Sequence, residues 1–232
     1  MEMSKVDVIS LDVLSNVSNR GYYIVDCLSR NILYASDNME YWCGCSREQL
    51  ETPGFNLYRQ CMPIEDYAIL NEIFEAVFCK FESIHEEERC KYILSFDLRF
   101  VVDGVPKMVH HRLMSYKQIN EKIWLALCEV TLTHSKLPGN IILQKNIGRS
   151  YDEYCLKTKR WIQRLLPSLS VTEKDILRLI AQGLSCKEIA DVLHKSEETI
   201  KKHRKNLKYK LQTDNQSMAI VFAMNSGLFL IQ

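Results

Sequence analysis

With 232 residues, 47 % of them hydrophobic, and a formal charge of +1, the chain has ample apolar material for one or two folded cores. No run approaches the ~18 apolar residues of a membrane span, and the opening MEMSKVDVIS lacks a charged stretch followed by an apolar one. The nine cysteines are an odd number, scattered and without a CxxC pair, so they are read as small hydrophobes in a cytoplasmic protein with reduced thiols. Cys43-x-Cys45 with Cys61 fits no common zinc spacing, and no metal is expected.

The small net charge hides a strong asymmetry. Residues 1–133 hold 13 Lys/Arg against 20 Asp/Glu, residues 134–166 hold 7 against 2, and residues 167–232 hold 10 against 7. An acidic front and a basic rear suggest two domains with different partners, the rear one polyanionic.

Val6, Ile9, Val13 and Val17 recur near helical spacing, predicting a lead helix over 5–17 with one apolar face. Tyr22–Asp26 and Ile32–Ala35 are short β-prone runs separated by polar turn residues, as in a hairpin. Between 37 and 62, Trp42, Leu50, Phe55 and Leu57 are broken up by Gly44, Pro53 and Gly54, predicting short helical turns. Pro63 and two acids then open a longer helix with a stripe of Ile69, Leu70, Ile73, Val77 and Phe78. Three strands follow. In the first, Leu94, Phe96, Leu98, Phe100 and Val102 alternate with Ser95, Asp97, Arg99 and Val101, predicting one packed face and one wet face. Asp103-Gly104 marks a turn, Lys107–Tyr116 a second strand and Ile123–Val130 a third.

That order, together with SRNILYASDNMEYWCGCSREQL and MPIEDYAIL, resembles a PAS domain over residues 20–133. The resemblance implies an antiparallel sheet with helices and a sensory role, through a small molecule held between them or through dimer contacts. Phe74, Phe96, Phe100, Met108, Trp124 and Cys128 are candidates to line such a pocket, and equally to be ordinary core. The ligand is unread, and no cofactor is evident. His110 and His111 are adjacent in a strand and must face opposite ways, which suits hydrogen-bonded structural residues better than haem ligands. With no glycine-framed nucleophile near a histidine, no P-loop and no dinucleotide fingerprint, the chain is not expected to be an enzyme.

Residues 134–166 read as a linker. HSKLPGN leaves the last strand, and 141–145, 150–156 and 159–163 suggest a small hairpin with a third strand. A connecting helix is the competing reading, because Leu156, Trp161, Ile162 and Leu165 are roughly helix-spaced. Trp161, among Lys157, Lys159, Arg160 and Arg164, is a packing anchor or an accessory contact to a polyanion.

In residues 167–232, Ser170 and Glu173 form one capping box, and Ser185 and Glu188 a second. Gly183 ends the first helix, His194-Lys195 make a turn, and Ser196 caps a third helix. At ~100° per residue, Leu207 and Leu211 fall within about 20° of Ile200, whereas Lys201, Lys202 and Lys205 lie roughly 100–200° away and Arg204 sits on the flank. Residues 201–210 contain no acid, so the basic groups stand opposite an apolar seam, as on a helix that lies against DNA. A fourth helix over 215–226 carries Met218, Val221, Phe222 and Met224, more apolar surface than a small core needs, and suggests a dimer contact.

LSVTEKDILRLIAQGLSCKEIADVLHKSEETIKKHRKNLKYKL is similar to the LuxR-type (GerE-like) DNA-binding domain across three helices and both turns, over about 166–228. The resemblance implies that Lys201, Lys202 and Lys205 enter the major groove of double-stranded DNA. It places Thr199, His203 and Arg204 nearer the backbone, with Lys208 expected on phosphate. The last helix would pair two subunits. Thr172 stands where an arginine is usual, Gln212-Thr213 where Gly-Val is usual, and Lys202 is bulkier than many counterparts, so local packing, one turn and base preference depart from the pattern.

The fold class is therefore α+β: a PAS-like domain over 1–133, a joint over 134–166, and an all-α four-helix helix-turn-helix domain over 167–232. The expected protein is a bacterial transcriptional regulator, a homodimer on a two-fold symmetric site, with RNA polymerase a further partner and no membrane association. The alternatives are a phosphate-accepting response regulator, disfavoured because the strands come in two blocks, and an autoinducer receptor with the same output domain.

Overall fold

The computed structural model describes residues 5–52, 56–118, 124–146 and 148–228. The chain divides into two units, Met1–Asn146 with Tyr151–Gln163, and Ile147–Ser150 with Arg164–Gln232. Among the described residues, no helix is long and apolar enough to cross a membrane.

The first unit begins with α1 (Lys5–Ser18), then β1 (Gly21–Asp26) and β2 (Ile32–Ala35), α2 (Met39–Cys43), α3 (Arg47–Glu51), α4 (Leu57–Cys61), α5 (Ile64–Glu82) and α6 (Glu86–Arg89). The strands β3 (Tyr92–Val102), β4 (Val105–Gln118) and β5 (Trp124–Leu132) follow, then β6 (Gly139–Lys145), β7 (Ser150–Cys155) and β8 (Arg160–Leu165). One antiparallel sheet runs β2-β1-β5-β4-β3-β6-β7-β8. Its first five strands, with α2 to α5 inserted between β2 and β3, make the PAS-like arrangement of antiparallel sheet and helices. Asp103 and Gly104, both at positive φ (52° and 74°), close the β3–β4 hairpin as a two-residue turn whose twist matches the strands.

Strand alternation sorts the two faces. Leu94, Phe96, Leu98 and Phe100 join Val109, Leu113, Ala126, Cys128 and Val130 in the main core, against Leu70, Ile73, Phe74, Val77 and Phe81 of α5. Gly21 is where β1 meets α2: a Cβ there would stand 2.7 Å from both Met39 Sδ and Trp42 Cδ1. The opposite face is not wet, as the alternation of β3 had suggested. Leu11 of α1 packs there on Tyr22, Ile24, Tyr34 and Leu125, and Asp97 is completely buried. The lead helix itself turns a different side inward than its valine spacing predicts. Leu11 and Ser15 are buried, whereas Ile9, Val13 and Val17 are exposed; the Val6 side chain, and Phe55 of the 37–62 stretch, lie outside the described residues.

The joint is β-structure, as the runs at 141–145, 150–156 and 159–163 suggested, but it is not a free-standing hairpin. Gln144 and Lys145 of β6 pair with Ile93 and Tyr92 of β3, so the sheet continues through the segment expected to be a linker. The helical reading of 156–165 fails because Arg160–Leu165 runs extended, and Trp161 packs tilted on Tyr154 at 5.1 Å.

The second unit is all-helical: α7 (Val171–Ala181), α8 (Cys186–Val192), α9 (Glu197–Lys210) and α10 (Gln216–Asn225). Its core is Leu169, Ile176, Leu177, Ile189, Ala190, Ile200, Leu207, Leu211, Ala219, Ala223 and Leu228.

Candidate nucleic-acid interface

Each helix of the second unit is opened by a side chain three residues from the amide it satisfies. The Ser170 amide donates to Glu173 Oε2 at 2.8 Å while the Glu173 amide donates to Ser170 Oγ at 3.2 Å. Ser185 and Glu188 repeat the exchange at 2.8 and 3.3 Å. Ser196 Oγ accepts from the Thr199 amide at 3.1 Å, and Asn215 Oδ1 from the Met218 amide at 2.9 Å. These caps satisfy amides that have no partner within a helix.

All four helices also close alike. The amides of Leu184, Lys195, Thr213 and Leu228 donate back to the carbonyls of Leu179, Ala190, Lys208 and Ala223, the six-to-one bond of a Schellman motif. The left-handed residue within each is Gly183 (φ 88°), His194 (φ 51°), Gln212 (φ 52°) and Gly227 (φ 67°). The departure at Gln212 thus leaves the turn intact and puts a β-carbon where glycine is cheaper.

These ends fix the rotation of α9. Ile200 and Leu207 are fully buried and Leu211 almost so, while Lys201, Lys202 and Lys205 are exposed and Thr199, His203 and Lys208 half-buried. The exposed lysines project from the side opposite the buried seam, a row of ammonium donors backed by a rigid helix. Lys201 Nζ sits 3.0 Å from Glu197 Oε1 one turn back, which raises its pKa through the hydrogen bond and the opposite charge. Arg204 is turned away from this row, with Nη1 2.8 Å from Cys186 Sγ of α8. Lys210 lies 2.8 Å from the buried Glu173 carboxylate. Burial pushes the Glu173 pKa up, but Lys210 and the Ser170 amide outweigh it and hold the carboxyl below its ordinary range. Neither engagement was visible from spacing along α9, because each partner lies on another helix.

On α10, Ala219 and Ala223 face the core. Met218, Val221 and Phe222 are half-buried, with Phe222 packed against that core, and Met224 is more than half exposed.

The first unit's candidate pocket residues separate. Phe74 lines an apolar cavity of about 50 Å³ together with Cys27, Val77, Phe81, Leu94 and Ala126. Phe96 and Phe100 instead enclose His111, stacked at 4.9 Å and edge-on at 5.0 Å. Met108 does not belong with them. It opposes Arg99 across the ladder and shares the His110 face of β4, because residues of one parity share a face. The Trp124 side chain lies outside the described residues. Cys128 is buried in the same core.

The two histidines do face opposite ways, with different fates. His110 Nδ1 lies 2.8 Å from Asp97 Oδ1, which also accepts from Thr133 Oγ1 at 2.6 Å, while Asn140 Nδ2 donates to Asp97 Oδ2 at 2.6 Å. His111 is fully buried with neither ring nitrogen hydrogen-bonded. Burial, aided by the nearby His110, depresses its pKa to about 3. Among the described residues, no group of three or more His, Cys, Asp or Glu is arranged to hold a metal ion.

Capped short helices, a tight turn and a third helix with lysines opposite its buried seam define a helix-turn-helix unit. Residues 167–223 match the family described as "GerE: Bacterial regulatory proteins, luxR family", and this chain carries that family's domain at its C-terminal side, behind a PAS-like unit. The "Uncharacterized transcriptional regulatory protein YhcZ" of Bacillus subtilis (strain 168) is 45 % identical over 60 residues, covering 26 % of this chain and 28 % of that protein. The chain thus spans less than a third of the length of this curated relative. Among solved structures, a phage VqmA–DPO complex aligns over 98 % of this chain and 92 % of its own, at 14 % identity and a TM-score of 0.34. A PAS domain from a two-component sensor histidine kinase aligns over 56 % of this chain and 98 % of its own, at 18 % identity and a TM-score of 0.38.

Proposed function

We propose that this protein is a DNA-binding transcriptional regulator of the cytoplasm. In this reading a homodimer lays α9 of each subunit in the major groove of a two-fold symmetric site. Lys201, Lys202 and Lys205 donate to guanine edges or phosphates, while Thr199, His203, Arg204 and Lys208 lie nearer the backbone. Met218, Val221 and Phe222 of α10 supply the contact between subunits, RNA polymerase is a downstream partner, and the PAS-like unit supplies the input through an unidentified small molecule.

The observation that carries the reading is the rotation of α9. Ile200, Leu207 and Leu211 are buried on one side, and Lys201, Lys202 and Lys205 are exposed on the other. A pair of variants tests it. Lys205→Ala removes a charge from the exposed side and is expected to weaken binding to duplex DNA without lowering the melting point. Leu207→Ala opens a cavity and is expected to cost ~2–5 kcal/mol of stability. Unchanged DNA affinity in Lys205→Ala, measured by fluorescence anisotropy, would remove this residue from the interface. A melted domain would contradict the helical phase.

A further inference from the structure

Three cysteines around the short helices of the first unit are brought together. Cys45 stands between α2 and α3, and Cys61 is the last residue of α4. Their sulfurs are 3.0 Å apart. Cys61 is buried, whereas Cys45 is part-exposed. Cys43 is buried beside them; its Sγ donates to the Met39 carbonyl at 3.2 Å, and the Cys61 thiol, hydrogen-bonded to it, lowers its pKa. Close packing of small apolar residues would account for buried thiols. It does not account for a part-exposed cysteine whose sulfur is set against that of a buried one.

We propose that Cys45 and Cys61 are an oxidation site, a dithiol that a peroxide converts reversibly into a disulfide. Burial holds the Cys45 thiol above its ordinary pKa, so the attack runs through its minor thiolate form and is faster at alkaline pH. That thiolate attacks one peroxide oxygen, the O–O bond breaks, hydroxide leaves, and Cys45 becomes a sulfenic acid. The Cys61 sulfur then attacks the Cys45 sulfur, forming the S–S bond and expelling hydroxide, which leaves as water with the Cys61 proton. In sum, two thiols lose two electrons and two protons, and hydrogen peroxide is reduced to two waters. The sulfurs need to approach by only about 1 Å to reach bonding distance. The bond ties the α2–α3 connection to the end of α4. That helix carries Tyr58, whose hydroxyl is 3.1 Å from that of Tyr23 and whose ring packs edge-on to Phe74 at 6.0 Å. Oxidation would therefore fix the helical cover over the inner face of the sheet. This inference does not depend on DNA binding.

The test uses the full chain, reduced, treated with hydrogen peroxide, capped with N-ethylmaleimide, digested and read by mass spectrometry. The expected product is a cross-linked peptide pair that has lost two hydrogens, whose fragment ions join Cys45 to Cys61 and which dithiothreitol separates. The link should persist in Cys43→Ser and vanish in Cys45→Ser. Fragment ions from the unaltered chain decide the pairing even if a variant misfolds. A link joining Cys43 to Cys61 would overturn the pairing. Full capping of both Cys45 and Cys61 when the exposed Cys79 and Cys90 are already oxidised would overturn the site.

Discussion

The helix ends of the helical unit and the buried polar groups of the sheet unit find their partners over very different distances along the chain. In the helical unit the capping bonds span three residues: Ser170 with Glu173, Ser185 with Glu188, Ser196 with Thr199 and Asn215 with Met218. In the sheet unit the corresponding partners are far apart. Asp66 accepts from the Arg99 amide 33 residues on, Tyr23 meets Tyr58 at a separation of 35, and Asp97 accepts from Asn140 at 43. Local caps let each helix carry its own ends, so damage to one cap stays local. Shared buried carboxylates do the reverse, because removing one strands every donor that pointed at it.

The largest effect is expected from Asp97→Ala. It leaves His110, Thr133 and Asn140 without their common acceptor, and a loss of about 3–5 kcal/mol is expected in the unfolding transition of the sheet unit, with that of the helical unit unchanged. Chemical denaturation followed by tryptophan fluorescence and helical circular dichroism would separate the transitions. A loss near 1 kcal/mol would mean that the buried network is no more consequential than a helix cap.

His111 supplies an acid-side contrast. Its folded pKa of about 3 lies below the ordinary value of about 6.5, so the unfolded chain binds the extra proton. Its stabilising contribution is complete above pH ~6.5 and is lost as pH falls toward 3, at about 1.4 kcal/mol per pH unit within that window. His111→Leu, which keeps an apolar group between Phe96 and Phe100, should flatten the decline in stability between pH 6 and pH 4. An unchanged pH profile would show that other groups set the acid limit.

The smallest effect belongs to the helical unit. Gln212→Gly should raise its stability by about 0.5–1 kcal/mol, since the left-handed position at φ 52° costs glycine less. A loss of stability instead would show that the Gln212 side chain contributes more than its backbone costs.

The same contrast explains what could be read from residues alone. Capping boxes, left-handed turns and the phase of Ile200, Leu207 and Leu211 all lie within a few residues of one another, so the helical unit and the exposed lysines were legible. In the sheet unit the strands were legible and their environment was not. Nothing near Asp97 in sequence announces Asn140, and the spacing of Val13 and Val17 does not reveal that α1 turns Leu11 inward. Met108 was misplaced because strand parity has meaning only once the register with β3 is known. Arg204 reaching Cys186, and Lys210 reaching Glu173, likewise depend on how separate helices cross.

The proposed contact of the exposed side of α9 with DNA phosphates is read out by the salt dependence of binding. If each subunit neutralises roughly three to five phosphates, the logarithm of the association constant should fall linearly with the logarithm of salt concentration, with a slope of about −2.7 or steeper for each subunit. Lys205→Ala should make that slope shallower by up to about 0.9 for each subunit if it meets a phosphate. A binding curve that stays flat between low and moderate salt would contradict the account.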